Sequence, residues 1–335
     1  MARDETTHHI AHDRQDAKNA HGGGRGRQAH KPWDIPPKGW KDTLFRTKAQ
    51  LKDDHVSLIA AGGAFYAMLS LFPAVAAAVA VWGLVADPAQ MVDQIDGFTA
   101  GLPSEIEKII HTQAEQAASD EGGAFLTALV AILLGIWSAS KGMKAMIEGI
   151  NIAYDEKDER GFVKSTILRL VMTLGAIIGV VVAAGLVVVL PPILDALGLS
   201  GGTEVLISVA KWALLFIGAS LAFAALYRFA PDRDSPRWQW ITPGSVLAVV
   251  LWLAGSAAFS IYVSNFASYN ETYGTLGAAV ILLMWLFLTS FVVLLGAELN
   301  AELERQTRKD TTVGEREPMG QRGAFAADDL GEART

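Results

Sequence analysis

The sequence predicts an all-α integral membrane protein, a six-helix transmembrane bundle with both termini cytoplasmic. Three observations carry that prediction. Six apolar runs, Ser57–Val85, Gly123–Ala145, Ser165–Leu190, Val205–Tyr227, Thr242–Val263 and Leu276–Leu299, each exceed the roughly 18–20 residues that cross a hydrocarbon core at ~1.5 Å rise. Charged residues still make up 19% of a chain that is 51% hydrophobic, so the charge is segregated into loops and tails. Basic residues also crowd one set of loops: Lys38, Lys41, Arg46, Lys48 and Lys52, then Lys157, Arg160 and Lys164, then Arg228, Arg233 and Arg237, then Arg305, Arg308 and Lys309. The three opposite loops hold only Lys108. The positive-inside rule therefore puts the basic loops and both ends in the cytoplasm. Helices are the expected spanning form because no water in the bilayer core can satisfy a loose peptide group.

Residues 1–39 read as a disordered cytoplasmic tail. They carry His8, His9, His12, His21 and His30 with Gly22, Gly23 and Gly24, a composition unable to bury a core. A solvated tail is the stronger reading there, and metal binding by His8, His9 and His12 the weaker. Residues 40–303 form the expected membrane domain. Trp40–Asp54 opens it, either as a short helix on the inner leaflet with Trp40, Leu44, Phe45 and Leu51 on one side and the basic residues elsewhere, or as a plain continuation of the first span. With no apolar stretch before Val56, the first span is expected to be its own insertion signal. Cysteine is absent from the sequence, which removes disulfides, thiolate catalysis and Cys-based metal sites from it. Trp33, Trp40, Trp212, Trp238, Trp240, Tyr262, Tyr269 and Tyr273 suit an interfacial aromatic belt.

Between the first two spans, residues 86–122 form the long external loop. Ser104 and Glu107 make a capping-box pattern after Pro103, with Ile106, Ile109 and Ile110 at helical spacing, which predicts an amphipathic external helix. In the third span Gly175 and Gly179 form a small-xxx-small pair, read as intramolecular packing ahead of dimerisation. Residues 304–335, polar and Gly-containing, read as a second disordered cytoplasmic tail.

Candidate functional residues are the polar ones at membrane depth, where an ionisable group costs roughly 2.5–3.5 kcal/mol on insertion scales. Pro73 kinks the first span, and kinked helices line transport paths as well as serving packing. Lys141, Lys144 and Glu148 fall on one side of the second span, Arg169 one turn inside the third, and Glu298, Asn300 and Glu302 at the end of the sixth. With Ser70, Ser138, Ser140, Asn151 and Tyr154 they can form one polar cluster at the inner mouth of a cavity. The competing reading has Lys and Arg reaching the headgroups while Glu298 pairs with one of them for stability.

Several stretches in fixed order resemble the YihY/BrkB family of bacterial inner-membrane proteins, once labelled ribonuclease BN. They are AGGAFYAMLSLFP (Ala61–Pro73), WSASKGMKAMIEGINIAYDEKDERGF (Trp137–Phe162), LYRFAPDR (Leu226–Arg233), PGS (Pro243–Ser245), YNETYGTLGAAVILLMWLF (Tyr269–Phe287) and LLGAELNAE (Leu294–Glu302). The resemblance covers nearly all of residues 40–303. It implies a six-helix protein of the bacterial inner membrane with no agreed activity, in which export or flipping of a lipid or envelope component is suggested.

Two functions follow as expectations. The first is a transporter or translocase of a lipid or envelope component, with a path along Ser70, Pro73, Ser138, Ser140, Lys141, Lys144, Asn151, Tyr154, Arg169, Glu298 and Asn300, and Glu298 as a proton-linked carboxylate. No GxxxxGK[ST] motif is present, so no nucleotide cofactor is expected. The alternative is a non-transporting scaffold of the envelope. Expected partners are membrane lipids and a lipid-like or small-molecule substrate, with a second copy or an envelope protein as further candidates. Nucleic acid and ribonuclease chemistry are disfavoured, because His55 and His111 are the only His beyond the N-terminal tail and the charge pattern sets them on opposite sides of the membrane.

Overall fold

The computed structural model describes residues 24–83, 124–188, 202–265 and 275–333. The elements within them are α1 (Pro37–Asp53), α2 (Val56–Gly83), α3 (Ala124–Ala153), α4 (Phe162–Val188), α5 (Gly202–Phe229), α6 (Trp238–Asn265), α7 (Thr275–Glu304) and the single turn α8 (Phe325–Asp328). A 3₁₀ turn at Pro32–Asp34 precedes α1, and an isolated bridge between Pro236 and Thr312 is the one extended pairing among the described residues. Within the described residues, each predicted apolar run falls on one of α2 to α7. By length and apolarity four stretches qualify as candidate spans, Phe162–Val187, Val205–Phe229, Trp238–Val263 and Ala279–Glu304. The bent pair Pro37–Asp53 and Val56–Leu71 passes the same test only when its two helices are taken together.

Consecutive helices pack as neighbours from α2 to α7, and α7 closes the circuit against α2 while also touching α1 and α3. The faces left outward are apolar: Ile167, Val171, Ile178, Val180 and Val181 on α4 and Leu206, Val209 and Leu221 on α5 are exposed. A soluble chain does not leave so large an apolar surface in water, so this surface is made for lipid. The core proper lies at one end, where Ala60, Ile150, Tyr154, Tyr227, Ile241, Leu294 and Ala297 meet. We call it the polar end, because α1, both inter-helix loops 154–161 and 230–237 and both terminal segments gather there.

Three helix contacts set this geometry. Tyr227 donates from its hydroxyl to the Val293 carbonyl at 2.8 Å, joining α5 to α7. Pro243 lies inside α6, and Asn300 of α7 bonds the backbone on either side of it, accepting from the Gly244 amide at 2.8 Å and donating to the Ile241 carbonyl at 3.1 Å. Gly244 and Gly296 let these two backbones meet: a Cβ on Gly244 would strike the Gly296 carbonyl. The close approach expected at Gly175 and Gly179 is not made, since nothing lies within 4 Å of either position. Trp240, expected in the interfacial belt, is instead buried with Ala29, Ile35, Leu299 and Leu303.

Helices α1 and α2 meet at 62°, so α1 does not continue the span but lies across the end of the bundle. The break is at His55, whose φ of 51° is left-handed and whose carbonyl accepts the first α2 amides, Leu58 at 2.8 Å and Ile59 at 3.2 Å. Such a φ costs a side chain about 1–2 kcal/mol. His55→Gly is therefore expected to be neutral or stabilising by up to about 1 kcal/mol, while His55→Val costs about 1–2 kcal/mol. Thermal unfolding of the two variants in detergent checks the order.

Of the two segments expected to be disordered tails, residues 24–39 and 305–333 are described, and 1–23 and 334–335 lie outside the described residues. Residues 24–39 and 305–333 are folded together over the ends of α1 and α7. Arg27 donates to the Gly331 carbonyl at 2.5 Å, the Arg308 amide donates to the Arg27 carbonyl at 3.0 Å, and Thr307 donates to the Ala29 carbonyl at 2.8 Å. Arg322, 4% exposed, donates to the carbonyls of Ala327 and Arg308 at 2.6 and 2.9 Å. Guanidinium groups here hold backbone carbonyls alongside the small apolar contacts of Ala29, Ile35 and Ala326. His8, His9, His12, the loop 86–122 with its expected helix, and Tyr269 and Tyr273 lie outside the described residues.

Candidate functional site

Helix α7 carries Glu298 into the packed core of the polar end. The residue is 0% exposed, and among the described residues neither carboxylate oxygen has a hydrogen-bond donor. Its neighbour is the carboxyl of Asp54, delivered by the α1–α2 break, whose buried Oδ2 is equally without a donor. Glu302 and Asp155 add negative charge nearby, and the buried Tyr154 hydroxyl, next to Asn300, makes no hydrogen bond of normal geometry among the described residues. Two acceptor-only groups face to face need a positive species between them. Among the described residues no set of three or more His, Cys, Asp or Glu is placed to hold a metal ion. A shared proton would satisfy both carboxyls.

Burial pushes the Asp54 carboxyl above the usual carboxylate range, and the charge on Asp53 pushes in the same direction, against the contact with Glu298. The folded state therefore holds this proton more tightly than the unfolded chain, whose Asp titrates near about 3.9. Stability from this group is present at low pH and is lost as pH rises from about 4 through the raised value. Asp54→Asn is expected to raise the melting temperature at neutral pH, with the gain fading below about pH 4. Melting curves of the two proteins across that range check the sign.

Around this pair runs a lattice of paired charges. Arg46 of α1 bonds Glu302 through Nε, and reaches the Glu302 carbonyl at 3.0 Å and Gln306 Oε1 at 2.9 Å. Arg305 bonds Glu302 at 2.8 Å and Asp329 at 2.6 Å. Arg233 bonds both oxygens of Glu304 at 3.2 and 2.8 Å, with Thr311 donating to the same carboxylate at 2.6 Å. The Arg233 guanidinium also lies 5.0 Å from the centre of the Tyr154 ring.

Of the candidate residues, Asn151, Tyr154, Glu298 and Asn300 come together at this end, where α3, α6 and α7 meet. Asn151 donates to the Ile147 carbonyl at 2.9 Å and accepts from the Asp232 amide at 2.8 Å, so it fixes the loop after α5. The others stand apart. Lys144 pairs with Glu148 at 3.3 Å on an exposed face of α3, and Lys141 is exposed as well. Arg169 lies over the Trp137 ring at 5.6 Å. Ser70 and Ser140 donate at 2.7 Å to carbonyls of their own helices, Ala67 and Trp137. Ser138 is half-buried in α3, and Pro73 lies inside α2. Glu298 pairs with no Lys or Arg among the described residues; Glu302, one turn on, takes that role. Asp54 escaped the sequence reading because it sits outside every apolar run. Its partner is 244 positions away.

A second feature begins about 15 Å along α7 from Glu298, at Leu288, ten residues away at 1.5 Å each. It is an apolar cleft of about 660 Å³ between α2, α6 and α7, lined by Ala64, Phe65, Ala258, Phe259, Met284 and Phe287 among others. Its indole neighbours are anchored, Trp285 to Ser256 at 3.2 Å and Trp252 to Thr289 at 3.1 Å. The cavity found between helices is thus apolar, and it joins α2 and α7 with α6 in place of α3.

Residues 47–320 match the family described as virulence factor BrkB. A ribonuclease-like protein of Bacillus subtilis, YfkH, is 28% identical over 255 residues, covering 73% of this chain and 89% of that protein. A UPF0761 membrane protein of Vibrio cholerae is 32% identical over 193 residues, 57% of this chain and 60% of the relative, so the alignment leaves a good part of both outside it. Another, of Vibrio parahaemolyticus, is 28% identical over 267 residues, 77% and 80% of the two chains. No solved structure matches.

Proposed function

The chain belongs to the BrkB family of membrane proteins, and from that premise we propose that it is a six-span protein of the bacterial inner membrane that moves a lipid or lipid-like envelope component across it. The spans are α2 to α7 and the polar end is cytoplasmic, which agrees with the crowding of Lys and Arg there. The observation that carries the reading is the cleft between α2, α6 and α7. It is apolar and lies among helices whose outer faces are apolar, which suits an acyl chain entering sideways from the bilayer. Farther along α7, the Asp54–Glu298 pair supplies a buried place for a proton, the energy source open to a transporter without a nucleotide motif.

The test is movement of a fluorescent phospholipid between leaflets of proteoliposomes, with and without a proton gradient. Filling the cleft by Ala258→Trp is expected to slow movement at least roughly tenfold, equivalent to ~1.4 kcal/mol, while the melting temperature holds. Glu298→Gln is expected to remove the dependence on the gradient. Vesicles that behave as protein-free controls under every gradient would sink the translocase. The scaffold reading would then stand, supported by the layer that both terminal segments build over the polar end.

A further inference from the structure

Helix α1 is amphipathic the wrong way round for water. Its inward face buries Gly39, Asp42, Thr43, Arg46 and Thr47, none of them large and apolar, with Trp40 and Leu51 partly buried against the core clusters toward the two ends of the helix. Every polar group on that face is engaged: Asp42 with Arg25 at 2.5 Å, Arg46 with Glu302, Thr43 with the Gly39 carbonyl at 3.1 Å and Thr47 with the Thr43 carbonyl at 3.0 Å. The outward face repeats the same i, i+3, i+4, i+7 spacing with Lys41, Leu44, Phe45 and Lys48. Leu44 is 53% and Phe45 42% exposed, and both lysines are exposed. A surface helix bathed in water turns its apolar stripe inward. This one turns inward the groups that bond the protein and outward a stripe of apolar groups ending in lysine at both ends.

Together with Pro37 and Trp40 these four residues line a groove of about 590 Å³. Its floor is apolar, and the Lys41 ammonium lies 5.8 Å from the centre of the Phe45 ring, held at the groove. Lys41 and Lys48 stand two turns apart, ~10.5 Å along the axis. The 62° bend at His55 sets the helix across the bundle end, the placement expected of an amphipathic helix lying among lipid headgroups.

We infer that this groove binds anionic phospholipid of the leaflet at the polar end, with a headgroup phosphate at Lys41 or Lys48 and the upper acyl region over Leu44 and Phe45. Charge complementarity selects the occupant, since two ammonium groups flanking an apolar floor match an anionic headgroup above a hydrocarbon chain. A zwitterionic lipid supplies the hydrocarbon without the net charge. The inference rests on the membrane reading above but does not require that the protein transport anything.

The experiment is native mass spectrometry of the full chain in detergent, titrated with dioleoyl phosphatidylglycerol or dioleoyl phosphatidylcholine. The unaltered protein is expected to take up phosphatidylglycerol with about thirtyfold preference, the equivalent of ~1 kcal/mol for each of the two lysines near an anionic surface. Lys41→Gln/Lys48→Gln is expected to lose most of that preference with its melting temperature unchanged, because both lysines are exposed. Lys157→Gln/Lys164→Gln, two other exposed lysines of the polar end, is expected to keep it. No preference in the unaltered protein, or equal loss in both double variants, would overturn the inference. Preference without leaflet-to-leaflet movement in vesicles would keep this site and remove the translocase, so the two proposals fail separately.

Discussion

Replacing Gly244 by alanine is expected to destabilise the protein by about 3 kcal/mol, the upper part of the range for overpacking a tight contact. The added methyl would strike the Gly296 carbonyl and lie 2.5 Å from Asn300 Oδ1. Neither is the end of a flexible chain that can swing aside. One is backbone, and the other belongs to the side chain that holds the Gly244 amide and the Ile241 carbonyl on either side of Pro243. The substitution therefore separates α6 from α7 and strands two backbone groups together. Gly218→Ala is the matched control, with nothing within 4 Å of its added carbon. Thermal unfolding in detergent should show a large fall for the first and none for the second. Equal behaviour would mean that the α6–α7 crossing is looser than described.

Arg233→Met is expected to cost about 3–5 kcal/mol, the range for stranding one member of a buried ion pair. Both side chains of the Arg233–Glu304 pair are inaccessible to solvent, and Thr311 is the other side chain bonded to the carboxylate. Removing the guanidinium leaves Glu304 buried with a single hydroxyl donor, and also strips the cation from the Tyr154 ring. Arg233→Met/Glu304→Leu is expected to recover most of the loss, since a packed apolar pair replaces a buried ionic one at little net cost. The double variant decides the interpretation. If it is as unstable as the single one, Arg233 acts through Tyr154 and the chain bend after α5 and not through its partner's charge.

The helices were legible because each apolar run is long enough to admit no other reading. Their contacts were less so. Gly175 and Gly179 carry a visible four-residue spacing and touch nothing, whereas Gly244 and Gly296 make the tightest crossing and lie 52 positions apart with no local signature. Glu298 stood out as an ionisable residue inside an apolar run. Its companion did not, because Asp54 sits in a polar turn and carries the same charge, the opposite of what a search for ion pairs seeks. The terminal segments misled for a chemical reason. Composition counts apolar residues, while these segments are held by Arg27, Arg305 and Arg322 on carbonyls and carboxylates, which composition scores as a tendency to unfold.

The grip of Arg27 on Gly331 ties positions 304 residues apart. Ribosomes add about 5–20 residues each second, so roughly 15 seconds to a minute separates the birth of the two. Arg46 likewise waits for Glu302. For that interval the early basic segment stands beside the membrane without its acidic counterparts, while the spans insert one after another. Assembly of the polar end thus waits until Gly331 has been made. A chain stopped after α7 has α1 to α7 and no lock, and a tag fused after residue 333 has to leave that lock free to close.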